Sequence, residues 1–274
     1  MKFIITVLIW LCWPVSTAWA WDFAVHFVIA QRAYDELSQA QQLEVRRLSA
    51  LLAQAEPAVS DFVPASVWLD AQNWSGFGLM QHWHYQPRPW LQGPYVLPEQ
   101  ASDHALWILA QARKTLRNPQ ATDFQQALML RVMAHVSADI HQPLHAIERF
   151  CAAHPTGDRG GSALAIQHSD YRHLHALWDA AGGQYPYLRL SDWPRVAPQV
   201  KVWADHLGKA YPCSDIASDP EVWAAEAYDL GRTAYQMPAG QSLPPAYLQK
   251  VQQISSRQMA RAACRLADEL QFML

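Results

Sequence analysis

The stretch His135-Val136-Ser137-Ala138-Asp139-Ile140-His141-Gln142-Pro143-Leu144-His145 constrains this chain more than any other. His135 and Asp139 are four residues apart, so a helix carries both on one face. Pro143 lacks an amide hydrogen and ends or bends that helix, which lets His145 turn back toward the same pocket. The fold must therefore bring a helix end and the turn after it to one polar point. A second H-x-x-x-D pair, His175-Ala176-Leu177-Trp178-Asp179, asks the same of a later segment. One such pair alone reads most simply as a solvated ion pair on a helix surface, worth little. Two copies with His145 beside them read as metal ligands, and imidazole nitrogen with carboxylate oxygen is a set suited to zinc.

The rest of the pattern is mostly helical. Glu36 to Ala55 carries Leu37, Leu43, Val45, Leu48, Leu51 and Leu52 at roughly helical intervals, with Ser38 as a cap. Helices are also expected over Ala105 to Leu116, Phe124 to Ile140, Asp170 to Ala181, Pro220 to Tyr235 and Pro245 to Met273. Strand signals are sparse. Asp158-Arg159-Gly160-Gly161 followed by Ser162 to Gln167 reads as a turn and a short extended ribbon. Pro87 to Pro98 and Gly183 to Pro198, rich in Pro and aromatics, read as loops. Without a linker, low-complexity run or fixed repeat, the expectation is one mainly α domain with little β structure.

Residues 1–20 read as a secretory signal: Lys2, an apolar run from Phe3 to Pro14, then Ala18-Trp19-Ala20. Cleavage after Ala20 would leave a domain over residues 21–274 that begins at Trp21. The new α-amine, with a reference pKa of about 7.7–8.0, could chelate a cation together with the Trp21 carbonyl. His26 follows five residues later. No further segment of membrane-spanning length is evident, so an exported protein, secreted or periplasmic, is expected, without stable membrane association. The net charge of −3 provides no bulk basic field for nucleic acid, so bound cations would have to attract a polyanion. All 12 His fall after the signal, against 21 Lys and Arg. Cys151, Cys213 and Cys264 remain after cleavage; one disulfide with one thiol left over is expected, and the pair is open.

Two more segments complete a pattern. Ala65-Ser66-Val67-Trp68-Leu69-Asp70 places an Asp after an aromatic-rich turn, and His82-Trp83-His84-Tyr85 a His among aromatics. With these, the chain resembles the S1/P1 nuclease family, zinc enzymes with a trinuclear site. The resemblance rests on Trp21 with His26, on the A-S-W-A-D-like segment ending at Asp70, and on Trp83-His84-Tyr85. It rests further on the complete H-x-x-x-D-x-x-Q-P-L-H signature from His135 to His145, and on His175 to Asp179. It departs at Asp22 and Val25, where the family carries Gly.

The resemblance implies a multi-helix phospholipase C/P1 nuclease-like fold and three zinc ions. One would sit on Asp70, His84, His135 and Asp139, and a second on His145, His175 and Asp179. The third would take the Trp21 amine and carbonyl, His26 and Asp139. Asp70 and Asp139 are the catalytic candidates, with a metal-bridging hydroxide as nucleophile. Tyr85 offers a ring for base stacking. Asn73 stands where the family often carries a phosphate-contacting Lys or Arg, and with Tyr85 is the candidate for substrate binding. The implied activity is hydrolysis of single-stranded RNA or DNA to 5′-phosphorylated products, with 3′-nucleotidase activity on nucleotides, by a monomer. A zinc-dependent phospholipase C is the alternative, although its last ligand is usually Glu where this chain has Asp179. His82, His141 and His173 read as ordinary or supporting side chains rather than ligands, His173 because two residues before His175 on a helix it faces elsewhere.

Overall fold

The computed structural model describes residues 21–53, 56–74, 78–99, 101–214, 217–237, 240 and 242–273. The side chains of Asn73, Trp74 and Met273 fall outside that description, as do the expected signal at 1–20 and Ala55. Ten α-helices are present among the described residues: α1 Phe23–Asp35, α2 Gln39–Leu51, α3 Phe62–Ala65, α4 Trp68–Trp74, α5 Ala105–Leu116, α6 Asp123–Asp139, α7 Leu174–Asp179, α8 Trp193–Ala210, α9 Pro220–Ala234 and α10 Pro245–Met273. They form one domain, mainly α as the sequence implies.

The helix ends follow local chemistry. Ser38 caps α2 through a capping box with Gln41, and Thr122 does the same for α6 with Gln125. α6 stops at Asp139, and Pro143 opens the short 3₁₀ turn Pro143–His145 that follows. α1 was not anticipated. Its residues Phe23 to Ala30 are all buried, so its first two turns are enclosed on every side and show no amphipathic period. Neither was α8, which takes up the end of the expected loop at Gly183 to Pro198, from Trp193 on. Pro194 lies in its first turn, where the missing amide costs nothing. Pro198 does forfeit a bond, and the buried seam Val196, Val200, Ala204 and Leu207 outweighs it. α7 is shorter than its expected span, and α2 ends before Ala55.

The expected loop at Pro87 to Pro98 contains a strand, β1 Arg88–Leu91, paired in parallel with β2 Ile147–Phe150, Arg88 facing Ile147 and Leu91 facing Phe150. In a two-stranded ribbon Pro89 can turn its amide-free nitrogen outward. The ribbon matters for the site, because it fastens the segment after His84 to the turn carrying His145. The amides of Gln86 and Arg88 donate to the carbonyls of His145 and Ala146, each at 2.9 Å. Over the expected ribbon at Ser162 to Gln167 there is no regular strand, and the described residues form only the single bridges Ala165–His173 and Gln167–Ser242.

The apolar interior has two parts. The larger gathers α1, α6 and α10 with Ala138 and Ile140 on either side of Asp139. The smaller holds Leu144, Leu174 and Trp178, the neighbours of His145, His175 and Asp179. The polar point demanded by the sequence lies where the two meet. A disulfide between Cys213 and Cys264 ties the segment after α8 to α10, and Cys151 is the free thiol.

Candidate metal centre

α1 contributes His26, α4 Asp70, the 3₁₀ segment Gly78–His84 its last residue, α6 His135 and Asp139, the Pro143–His145 turn His145, and α7 His175 and Asp179. All eight residues are essentially buried, none more than 3% exposed. They fall into three groups whose ligand atoms lie within 4.8 Å of one another: His26, Asp70 and His135; His84, His135 and Asp139; His145, His175 and Asp179.

Asp139 is the hub. One carboxylate oxygen lies 2.9 Å from both His84 Nδ1 and His135 Nε2, and the other 3.4 Å from His26 Nε2 and 3.8 Å from His145 Nδ1. Asp70 stands opposite, 3.6 Å from His84, 3.8 Å from His135 and 3.9 Å from His26. Asp179 Oδ1 is 3.5 Å from Nε2 of both His145 and His175. The rings of His26 and His135 stack at 4.3 Å, and those of His145 and His175 at 5.1 Å.

Backbone carbonyls set the tautomers. Nδ1–H of His135 donates to Ser66 at 2.7 Å, that of His175 to Gly160 at 2.7 Å, and that of His145 to His84 at 3.1 Å. Each ring then turns its Nε2 lone pair inward, the arrangement that orients metal-bound histidines. Gln142 supports the third group: its amide donates to Asp179 at 2.7 Å, and its oxygen accepts from the Leu144 amide at 2.5 Å. Gly160 must be glycine. Its φ is +56°, and a Cβ there would stand 2.3 Å from the Leu144 carbonyl oxygen.

Burial and charge act together on these groups. Burial pushes the Asp70 and Asp179 carboxyls up, Asp179 well above the usual range. Burial also opposes ionisation of Asp139, but its histidine neighbours, His135 foremost, hold it well below that range. His135 resists charging by burial, yet Asp139 and Asp70 prevail and raise it to about 9. Burial, aided by His175, lowers His145 to about 3. Both ring nitrogens of His26, Nε2 of His145 and Oδ1 of Asp139 are buried without a hydrogen-bond partner among the described residues. Orphaned polar atoms are costly, and several of them converging on one pocket fit bound cations.

Trp21 is fully buried, its indole N–H donating to the Ala138 carbonyl at 3.0 Å, and the Asp22 amide donates to the Asp179 carbonyl at 3.0 Å. The backbone of the predicted first residue is thereby pinned between α6 and α7. Val25 points into the core and Asp22, pushed up to about 7 by burial and by Asp70, adds a carboxyl beside the site. Tyr85 is half-buried, its ring centroid 4.9 Å from that of His145 in an edge-on arrangement, in a cleft of about 460 Å³ whose lining includes His175, Gly160 and the exposed Arg159. Asn73 lies in α4, with its side chain outside the described residues.

Histidines outside the three groups have other duties. His141 is fully buried: Nδ1–H donates to Ser137 at 2.7 Å, and Nε2 accepts from Arg265 at 2.9 Å. Gln258 donates to the His141 carbonyl, so α10 braces the end of α6 from behind. His173 is not on the helix at all; it caps α7, accepting from the Ala176 amide. His82 is exposed, 3.5 Å from Asp103. A slightly larger cavity, about 490 Å³, beside the disulfide and Arg257, holds none of the His/Asp groups.

An α-helical domain that concentrates three buried His/Asp groups around one shared carboxylate belongs to the class of proteins able to hold a cluster of cations. The sequence matches the family model described as S1/P1 Nuclease over residues 21–274. This chain belongs to the S1/P1 nuclease family: it is a nuclease, a hydrolase of phosphodiester bonds whose substrate is nucleic acid. Among curated proteins none matches the sequence. No helix among the described residues is long and apolar enough to cross a membrane.

Proposed function

We propose that this nuclease is a zinc enzyme that cleaves single-stranded RNA and DNA to 5′-phosphorylated products and also removes phosphate from 3′-nucleotides. The observation that carries the reading is the convergence of imidazole nitrogens of His26, His84 and His135 on Asp139, with His26 Nε2 and Asp139 Oδ1 buried without a hydrogen-bond partner among the described residues. Asp70, His84, His135 and Asp139 would hold one ion, His145, His175 and Asp179 a second, and His26 and Asp139 with the Trp21 amine and carbonyl a third. His26 is also within 3.9 Å of Asp70, so Asp70 is close enough to take part in both neighbouring groups. When bound, the ions supply Lewis acidity, lowering the pKa of water and neutralising charge on phosphate.

The chain's own residues do the remaining work. Asp139 holds three imidazoles in mutual register and resists protonation. Carbonyls of Ser66, His84 and Gly160 keep three rings in one tautomer. Tyr85 presents an aromatic face at the cleft for a base, and Asn73 is a neutral amide for the substrate in place of a cation. In the uncut chain Trp21 carries an amide rather than an amine, so signal removal would complete the third set. That requirement supports an exported protein, secreted or periplasmic, with a mature domain at 21–274, and we take it to act as a monomer.

The test is metal analysis of protein cut to Trp21, with cleavage of single-stranded DNA before and after chelation and zinc return. About three zinc per chain with chelator-reversible cleavage, abolished in Asp139→Ala, is expected. Three zinc without cleavage of nucleic acid, but with release of phosphocholine from lecithin, would move the substrate to phospholipid. Fewer than two zinc would refute the ligand assignment.

A further inference from the structure

We propose that Arg159 is the phosphate-binding residue of this cleft, gripping the backbone of a single strand where it passes His145 and His175. The inference rests on the nuclease reading and adds to it a residue and a contact. A nucleic-acid strand needs positive charge at its phosphates, and position 73 supplies none. The cleft walls instead bring two further carboxylates, Glu99 and Glu148. Among the described residues lining the cleft, Arg159 is the one Lys or Arg.

Neighbouring guanidinium groups are committed elsewhere. Arg88 lies 2.7 Å from Glu221, and Arg149 is 3.3 Å from Asp158 with its charge 4.5 Å over the Tyr235 ring. Arg159 is exposed; its amide donates to Glu148 at 3.4 Å and its carbonyl accepts from the Ser162 amide at 3.1 Å, while its guanidinium, whose charge is felt by Glu148, makes no hydrogen bond or ion pair within 4.0 Å among the described residues. A planar fork of donors suits a phosphate better than any other side chain does.

The backbone is built to hold it there. Arg159 has φ +54°, a left-handed conformation unfavourable for a residue with a Cβ. Asp158 imposes it. This buried carboxylate accepts from the Arg149 amide at 3.1 Å, the Gly161 amide at 3.3 Å and the Tyr235 hydroxyl at 2.8 Å. On the other side Gly160 lies flush against the Leu144 carbonyl while its own carbonyl orients His175. Arg159 is thus one residue from the group that aims a ligand, in a loop with little freedom to shift. Strain in such a loop persists where the surroundings over-determine it, and it concentrates at binding sites.

The test uses zinc-loaded protein and a fluorescent phosphorothioate oligothymidylate, with binding followed by anisotropy across a salt series. Arg159→Gln is expected to weaken binding about tenfold or more at low salt and to reduce the slope of log affinity against log salt by about 0.7. Arg159→Lys should keep the slope. Arg159→Gly is the control for a merely structural role: it suits the left-handed backbone, so it should unfold no earlier than wild type yet bind as weakly as Arg159→Gln. Wild-type affinity and slope in both Arg159→Gln and Arg159→Gly would overturn the proposal while leaving the nuclease reading intact. No salt-dependent binding by wild type would overturn both.

Discussion

Gln142 offers a sharp test of how the third His/Asp group is held. Its amide donates to the buried Asp179 carboxylate at 2.7 Å, and a hydrogen bond to a charged group is worth about 1.5–3 kcal/mol. That bond works against the burial that pushes the Asp179 carboxyl up, so it keeps the oxygen available to a cation rather than to a proton. Gln142→Leu preserves bulk and removes the donor. The loss converts to about 10–100-fold in affinity at His145, His175 and Asp179, in the range found when supporting residues of metal sites are removed. The orphaned Leu144 amide should also cost about 1–3 kcal/mol of fold stability. Competition with a chromophoric chelator resolves individual zinc affinities, and urea unfolding of the metal-free protein isolates the stability cost. One weakened site out of three is expected. Three sites of wild-type affinity would refute the idea that Gln142 sets the ionisation of Asp179; equal weakening of all three would mean that it merely supports the fold.

Other outcomes follow from parts of the fold away from the ligands. The disulfide spans 51 residues, so Cys213→Ser should lower urea stability by about 4 kcal/mol with zinc content unchanged. Gly231→Ala should destabilise by about 1–3 kcal/mol despite the better helix propensity of Ala, because its Cβ would fall 2.7 Å from the Pro143 carbonyl oxygen and 2.6 Å from Ile147; unchanged thermal stability would argue against so close an approach of α9. Burial and Arg265 hold His141 well below its ordinary value, so below pH about 6.5 the unfolded chain takes a proton that the fold refuses. Stability of the metal-free protein should therefore fall as pH drops through that point, and His141→Asn should reduce the slope by up to about one proton, or about 1.4 kcal/mol per pH unit. An unchanged slope in that variant would refute the assignment.

The sequence made the three His/Asp groups legible because such groups depend on side-chain type and spacing. His135 and Asp139 share a helix face, and Pro143 forces the turn that returns His145. The supports were not legible for the opposite reason. Ser66, His84 and Gly160 act through carbonyls that any residue could supply, and only the packed fold selects them. Gln142 lay inside the motif, but nothing in its spacing revealed that its amide would meet Asp179 from 37 residues away. Likewise α1 escaped because its first two turns, buried on all sides, have no apolar stripe, and α8 because two prolines near its start resemble a loop. His173 was placed on a helix by its distance from His175, whereas Leu174 begins that helix and His173 caps it. Arg159 stood in a turn that any short connection might have used; its strained φ and place in the cleft emerge only from the buried Asp158.

The bracing of His141 by α10 has a consequence for the order in which the protein matures. Every side-chain ligand has been synthesised by Asp179, but Gln258 and Arg265, which seat the end of α6, come some 80 residues later. A growing chain therefore owns all the His and Asp side chains of the three groups well before it owns the wall behind them. If those groups take up cations as proposed, capture could precede burial of the pocket, with the C-terminal helix as the closing bolt.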